Sequence, residues 1–186
     1  MSVLTDTARP VLLDITGLVK RFRVRQSWAR RITVTALDGL SLQVDAGQTV
    51  ALVGESGCGK STAGKLLLGL MQPDEGEIRF EGQPLSGILA SAPAVYRRAV
   101  QIVFQNPLAS FNPMLTIGGS LLDGMRLRDD LTPVERQAEA VRLLEVVGLN
   151  TDYLQRYPSE MSGGQLQRVS IARALASNPR IIFLDE

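Results

Sequence analysis

Gly54, Gly59, Lys60 and Ser61 stand at the spacing G-x4-G-K-S inside "GESGCGKST" (Gly54 to Thr62). Glycines at these places let the backbone curl, so that N–H groups from Gly54, Glu55, Ser56, Gly57, Cys58 and Gly59 converge on one point. A convergent set of amides opening a helix is a binding site for phosphate oxygens. Lys60 would neutralise the β- and γ-phosphates, the Ser61 hydroxyl would ligate Mg2+, and Thr62 would contact the α-phosphate. The blander reading is a glycine turn beside a lysine. With only three lysines in the chain, a chance match at this spacing is well under about one in a hundred.

Two further stretches could complete that chemistry. "IIFLDE" (Ile181 to Glu186) is an apolar strand ending in two carboxylates. Asp185 is expected to hold the metal, and Glu186 to polarise a water attacking the γ-phosphate. Many strands end in acids, so the pattern gains its meaning from the phosphate loop. "MSGGQLQR" (Met161 to Arg168) puts a second glycine pair ahead of a second helix. Ser162, Gly163, Gly164 and Gln165 then read as another nest of N–H donors, arriving from the far side of a helical lobe. The economical use of two nests is a head-to-tail dimer, in which each chain's second nest closes over its partner's nucleotide. Cys58, inside the first loop, is either a small side chain that fits or a thiol activated by the surrounding amides. On the second reading, alkylating it should block nucleotide binding and ATP should protect it.

Composition narrows the class. The chain has 186 residues, 45% hydrophobic and 21% charged, with net charge +1. That suits one soluble domain with a sizeable core and gives no global field to recruit nucleic acid or an anionic membrane. One cysteine excludes an internal disulfide, and the lack of histidine excludes His–Ser and His–Cys pairs and histidine metal sites in this chain. The start "MSVLTDTARP" has no basic segment followed by an apolar run, and the apolar cluster "KLLLGLM" (Lys65 to Met71) is far below the roughly 20 residues of a membrane helix. The expectation is a cytosolic chain that works at a membrane only by binding something that spans it.

The elements that must position these residues follow from patterning. Short β-like runs are read at Val11–Thr16, Ile32–Leu37 and Leu40–Val44, and "TVALV" (Thr49 to Val53) as a buried strand leading into the phosphate loop. A helix should run from Lys60 to about Leu70, stopped by Pro73, with strands at Gly76–Gly82 and Val100–Phe104. From Ile117 to Gln155 the pattern is helical, clearest at Pro133–Leu149, with Thr132 ahead of Pro133 and Gly148 as a stop. A helix at Gln165–Ala176 and a strand at Ile181–Asp185 complete an α/β protein with parallel central strands.

With Gly54–Thr62, Gln105, Met161–Gln165 and Asp185–Glu186 in view, the chain resembles the ATPase subunit of an ATP-binding cassette (ABC) transporter. "MSGGQ" is similar to that family's signature, with Met161 in place of the usual leucine. "FQNPLASFNPMLTIGGSL" (Phe104 to Leu121) further resembles the oligopeptide, dipeptide and nickel importer branch. The likeness runs over nearly the whole chain from about Val11. It implies a P-loop NTPase core with parallel central strands, an N-terminal antiparallel β-subdomain and an inserted helical subdomain. The corresponding divisions are 11–104, 105–160 and 161–186, within one C-terminally incomplete domain.

The resemblance also implies roles. ATP and Mg2+ are the cofactors; Lys60, Gln105 and Glu186 serve catalysis, and Ser61, Gln105 and Asp185 the metal. Gln105 would touch Mg2+ and the attacking water and link them to the helical lobe. Ser162, Gly163, Gly164 and Gln165 would meet the partner's nucleotide. Phe22, or second Trp28, would stack on adenine; both lie in "KRFRVRQSWARR" (Lys20 to Arg31), which could equally be a solvated loop. The implied partners are transmembrane permease subunits, a second identical or related ATPase subunit, and indirectly a solute-binding protein, with no nucleic acid. The implied place is the cytoplasmic face of the cell membrane.

The family pattern continues beyond Glu186 with further strands and a histidine that contacts the γ-phosphate, so the chain as given is expected to be poorly stable and weakly active. Two rivals remain. A DNA-maintenance ATPase shares the signature, but it carries long coiled coils where Asn106–Glu160 is a short lobe without sustained heptads. A nucleotide-binding remnant without turnover is the other.

Overall fold

The computed structural model describes residues 9–25, 31–55 and 57–185. The chain folds as two compact units, residues 1–93 and 94–186.

The first unit is built on a four-stranded antiparallel sheet. β1 (Val11–Arg25) pairs with β2 (Arg31–Asp45) on one side and β3 (Glu75–Phe80) on the other, and β3 continues to the two-residue β4 (Gln83–Pro84). β1 buries Leu12, Leu13, Ile15, Leu18 and Val19. Its register slips between Ile15 and Leu18, where Gly17 takes φ +59°, a bulge geometry that favours glycine. Gly76 (φ +85°) packs there so closely that a Cβ on it would strike the Gly17 carbonyl. Beyond the bulge, Asp74 closes the sheet corner: it accepts from the Arg21 amide at 2.6 Å and pairs with Lys20 Nζ at 3.1 Å. Those two bonds hold its carboxyl below the usual carboxylate range. The unit is completed by α1 (Lys60–Leu67), burying Ala63, Leu66 and Leu67, and α2 (Leu85–Ser91), anchored by Leu85.

The early β-like runs are thus parts of two long strands. The Arg-rich stretch is not a loop over its first half, since Lys20–Arg25 lies in β1 opposite Arg31–Leu37 of β2; Trp28 lies outside the described residues. Thr49–Val53 departs from expectation. It joins no described ladder and Val53 is 93% exposed. A continuously apolar run reads as a buried strand only if neighbours flank it, and this one has no strand partner among the described residues.

In the second unit, α3 (Pro93–Ala99) leads directly into β5 (Val100–Val103), which pairs in parallel with β6 (Ile181–Leu184). Between them the chain runs through α4 (Ile117–Gly124), α5 (Pro133–Val146) and α6 (Gly163–Ala176), joined by 3-10 turns at Leu108–Ser110, Thr151–Gln155 and Pro158–Glu160. Each long helix starts where a side chain satisfies its orphan amides. The Thr116 hydroxyl accepts from the Gly119 amide at 3.1 Å, and Thr132 and Glu135 form a capping box with Pro133 in the first turn. The helices enclose one apolar core of Ile117, Leu121, Met125, Leu143, Leu144, Val169 and Ala172, with Met161 and Phe111 at its margin. Met161 serves there as an ordinary core side chain.

Candidate functional site

The loop from Gly54 to Gly59 is bent by glycine conformations that other residues resist. Cys58 donates its amide to the Glu55 carbonyl at 3.2 Å, closing a turn in which Gly57 takes φ +86°. Gly59 takes φ +99° and is the N-cap of α1. A Cβ on Gly59 would strike the Ala36 carbonyl and approach Leu37 within 2.9 Å, so the backbone of β2 presses on the loop from behind. No side chain caps α1. Its first-turn amides, at Lys60, Ser61 and Thr62, therefore remain available to an outside acceptor. The Lys60 ammonium donates to the Gly54 carbonyl at 2.6 Å and the Glu55 carbonyl at 2.9 Å, with the exposed Cys58 Sγ at 3.5 Å. This one side chain thereby folds back over the start of the loop, its charge held by two loop carbonyls. Ser61 is exposed beside it. These residues fit a polyphosphate: uncapped helix amides, one cation and one exposed hydroxyl stand together at the end of a glycine-bent loop. Ser56 lies outside the described residues.

In the second unit, the parallel pairing sets Gln105 and Asp185 at one sheet edge. Val103 lies opposite Leu184, and the Asp185 amide donates to the Val103 carbonyl at 3.0 Å. The half-buried Asp185 therefore leaves β6 beside the exit of β5, two residues before the exposed Gln105. Side-chain oxygens of these two types can share a hard cation and its water. Among the described residues no three or more His, Cys, Asp or Glu cluster into a metal site. Glu186 lies outside the described residues.

At the start of α6, Ser162 is the N-cap and Gln165 the third helical residue of a reciprocal capping box. The Ser162 hydroxyl accepts from the Gln165 amide at 3.3 Å, and Gln165 Oε1 accepts from the Ser162 amide at 2.9 Å. The second nest is thus smaller than its sequence suggests. Two of its four first-turn amides are satisfied internally, and those of Gly163 and Gly164 remain, on exposed residues with open space around each Cα. Gly164 borders a groove of about 400 Å³ that is also lined by Gly148, Asn150, Tyr153, Ser162, Gln165 and Arg168. The pattern S-x-x-Q before an apolar helix signals a capping box in sequence; Tyr153, whose hydroxyl accepts from Gln165 Nε2 at 2.9 Å, has no such signal, because a contact across 12 residues follows no local period.

Phe22, the expected adenine platform, is a half-buried residue of β1 opposite Val34, with Lys20 Nζ 5.9 Å from its ring centroid.

A family model described as ABC transporter matches residues 37–186, well over half of the sequence. The chain belongs to the ABC transporter family. Among curated relatives, this ABC chain is 42% identical over 175 residues to the nickel import ATP-binding protein NikE of Pseudomonas putida, covering 94% of this chain and 64% of that protein. It is 42% identical over 176 residues to the dipeptide transport ATP-binding protein DppF of Haemophilus influenzae, covering 94% and 54%. It is also 42% identical over 181 residues to the glutathione import ATP-binding protein GsiA of Pectobacterium atrosepticum, covering 96% and 29%. The chain thus spans less than two thirds of the length of these relatives. Among solved structures, a dimeric ATP-binding cassette in a post-hydrolysis state, bound to ADP and Pi, superposes with TM-score 0.80 at 29% identity, covering 94% of this chain and 74% of that one. The expected α/β fold of a P-loop NTPase is therefore the fold of this ABC chain. No helix among the described residues is long and apolar enough to cross a membrane.

Proposed function

We propose that this chain is the ATP-binding and hydrolysing part of an ABC importer, serving the uptake of oligo- or dipeptides or a similar small solute. One observation carries the reading: a single chain presents two helices whose opening amides are left to an outside acceptor, α1 behind Lys60 and α6 at Gly163–Gly164. A protein that only bound a nucleotide would need the first alone. Nickel, dipeptide and glutathione in the relatives' names support the importer branch; the dimeric form of the solved cassette supports pairing.

In this reading Gly54–Thr62 cradles the triphosphate of ATP, with Ser56 completing the loop and Phe22 beneath the adenine. Mg2+ is held by the Ser61 hydroxyl, Gln105 and Asp185; the ion would neutralise phosphate charge as it develops. Gln105 and Glu186 orient and polarise the attacking water. Ser162, Gly163, Gly164 and Gln165 meet the γ-phosphate held by a second ATPase subunit. The divisions 11–104, 105–160 and 161–186 then act as nucleotide core, permease-gripping lobe and signature segment. Transmembrane permease subunits anchor the chain at the cytoplasmic face of the membrane, and a solute-binding protein feeds them.

The test is ATP turnover by the full chain assembled with its permease. Lys60→Ala should abolish binding and turnover together, and Glu186→Gln should abolish turnover while leaving ATP bound. Turnover that survives both substitutions would overturn the proposal.

A further inference from the structure

The Gln165 carboxamide makes two hydrogen bonds whose polarity can be followed outward. The Ser162 amide can only donate, so it selects the Oε1 end of Gln165, at 2.9 Å. The Nε2 end must then face the Tyr153 hydroxyl, also at 2.9 Å, and the Tyr153 oxygen must accept. With one lone pair so engaged, the Tyr153 hydroxyl keeps its own proton free to donate, beside the groove that Tyr153 shares with Ser162 and Gly164. The tyrosine itself is well rooted. Its ring packs against the helical core, the Arg156 guanidinium lies 4.7 Å from its centroid, and the Arg156 carbonyl accepts the first amide of α4, from Ile117, at 2.8 Å. Gln165, by contrast, has three rotatable bonds between its carboxamide and the helix and would lose the capping geometry if they turned.

We propose that Tyr153 is a positioning residue for the signature turn: it clamps Gln165 in the capping rotamer, and through it fixes Ser162 and the outward amides of Gly163 and Gly164 for a partner's phosphate. This rests on the two-chain ATP clamp proposed above. Tyr153 acts from the 3-10 turn Thr151–Gln155, so the orientation of the turn is set by the helical core and not by α6 alone.

Tyr153→Phe removes one oxygen and keeps the half-buried ring. The experiment uses the full chain with a non-hydrolysable ATP analogue and reads three quantities: analogue affinity of the single chain, the constant for analogue-driven pairing, and Tm. Losing one neutral hydrogen bond should weaken pairing by up to about threefold to tenfold and lower Tm by only about 2–4 °C, with single-chain affinity unchanged. On a Gln165→Ala background, where there is no carboxamide to hold, Tyr153→Phe should cost nothing further. Wild-type-like pairing of Tyr153→Phe, a full additional loss on the Gln165→Ala background, or a parallel fall in single-chain affinity would each overturn the inference while leaving the clamp intact. A wild-type chain that binds the analogue yet never pairs would overturn the clamp, and the role of Tyr153 with it.

Discussion

Arg173 grips Ser110 with both arms of its guanidinium: one nitrogen donates to the Ser110 carbonyl at 2.6 Å and the other to its hydroxyl at 2.9 Å. The same group lies 4.3 Å from the centroid of the Phe111 ring, and burial pulls its pKa down from the usual arginine value. It ties the segment after Gln105, whose Leu108 and Met114 are exposed, to the helix that begins at Ser162. Arg173→Met should destabilise the folded chain by about 2–3 kcal/mol, the usual cost of losing charge-assisted bonds at a half-buried site. Urea unfolding measures the loss, and hydrogen exchange should show faster exchange in residues 105–116 than in α5. Unchanged exchange there would mean the loop is held by other contacts.

Gly59 and Gly57 both adopt positive φ, but only Gly59 has backbone behind it. A Cβ on Gly59 meets the Ala36 carbonyl, and one on Gly57 meets nothing within 4 Å. Both alanine variants carry strain of about 1–2 kcal/mol. Gly59→Ala must also move β2 or the loop, so it should lower ATP affinity at least about tenfold further. Fluorescent-analogue titration compares the two, and equal affinities would contradict the packing argument.

The helical unit was the most legible part of the sequence. Thr132, Pro133 and Gly148 announce α5 by local chemistry, and the structure adds Glu135 to Thr132 as a capping box and has a positive φ at Gly148. The bend of the Gly54–Gly59 loop was legible for the same reason, since Gly57 and Gly59 take positive φ within a few residues of each other. Thr49–Val53 was misread because apolar continuity reports that a strand wants neighbours, not that it has them. The grip of Arg173 on Ser110 and of Tyr153 on Gln165 joins residues far apart in the chain, with no period to betray it.

Asp130 supplies a pH signature. It pairs with Arg128 at 2.7 Å and Arg98 at 2.8 Å, and the Arg128 hydrogen bond first, then the nearby charges, pull its pKa down to about 2. A depressed carboxylate pKa stabilises the fold fully above the unfolded value of about 3.9 and loses that contribution as pH falls toward the folded value. Wild type should therefore lose more stability than Asp130→Asn between about pH 4 and 2. The difference should shrink in high salt, because Asp130 is exposed to solvent. Parallel urea midpoints for the two proteins would contradict the assignment.

The most direct measurement of the two-chain clamp uses a photoreactive ATP analogue with the reactive group on its γ-phosphate. Full-length Lys60→Ala chain, isotopically heavy, is mixed with light wild-type chain, and labelled peptides are sorted by mass. The heavy chain cannot hold its own nucleotide, so the account predicts label on its Met161–Arg168 segment, delivered from Lys60 of the light chain. Label confined to light chains, with the heavy segment clean, would contradict it.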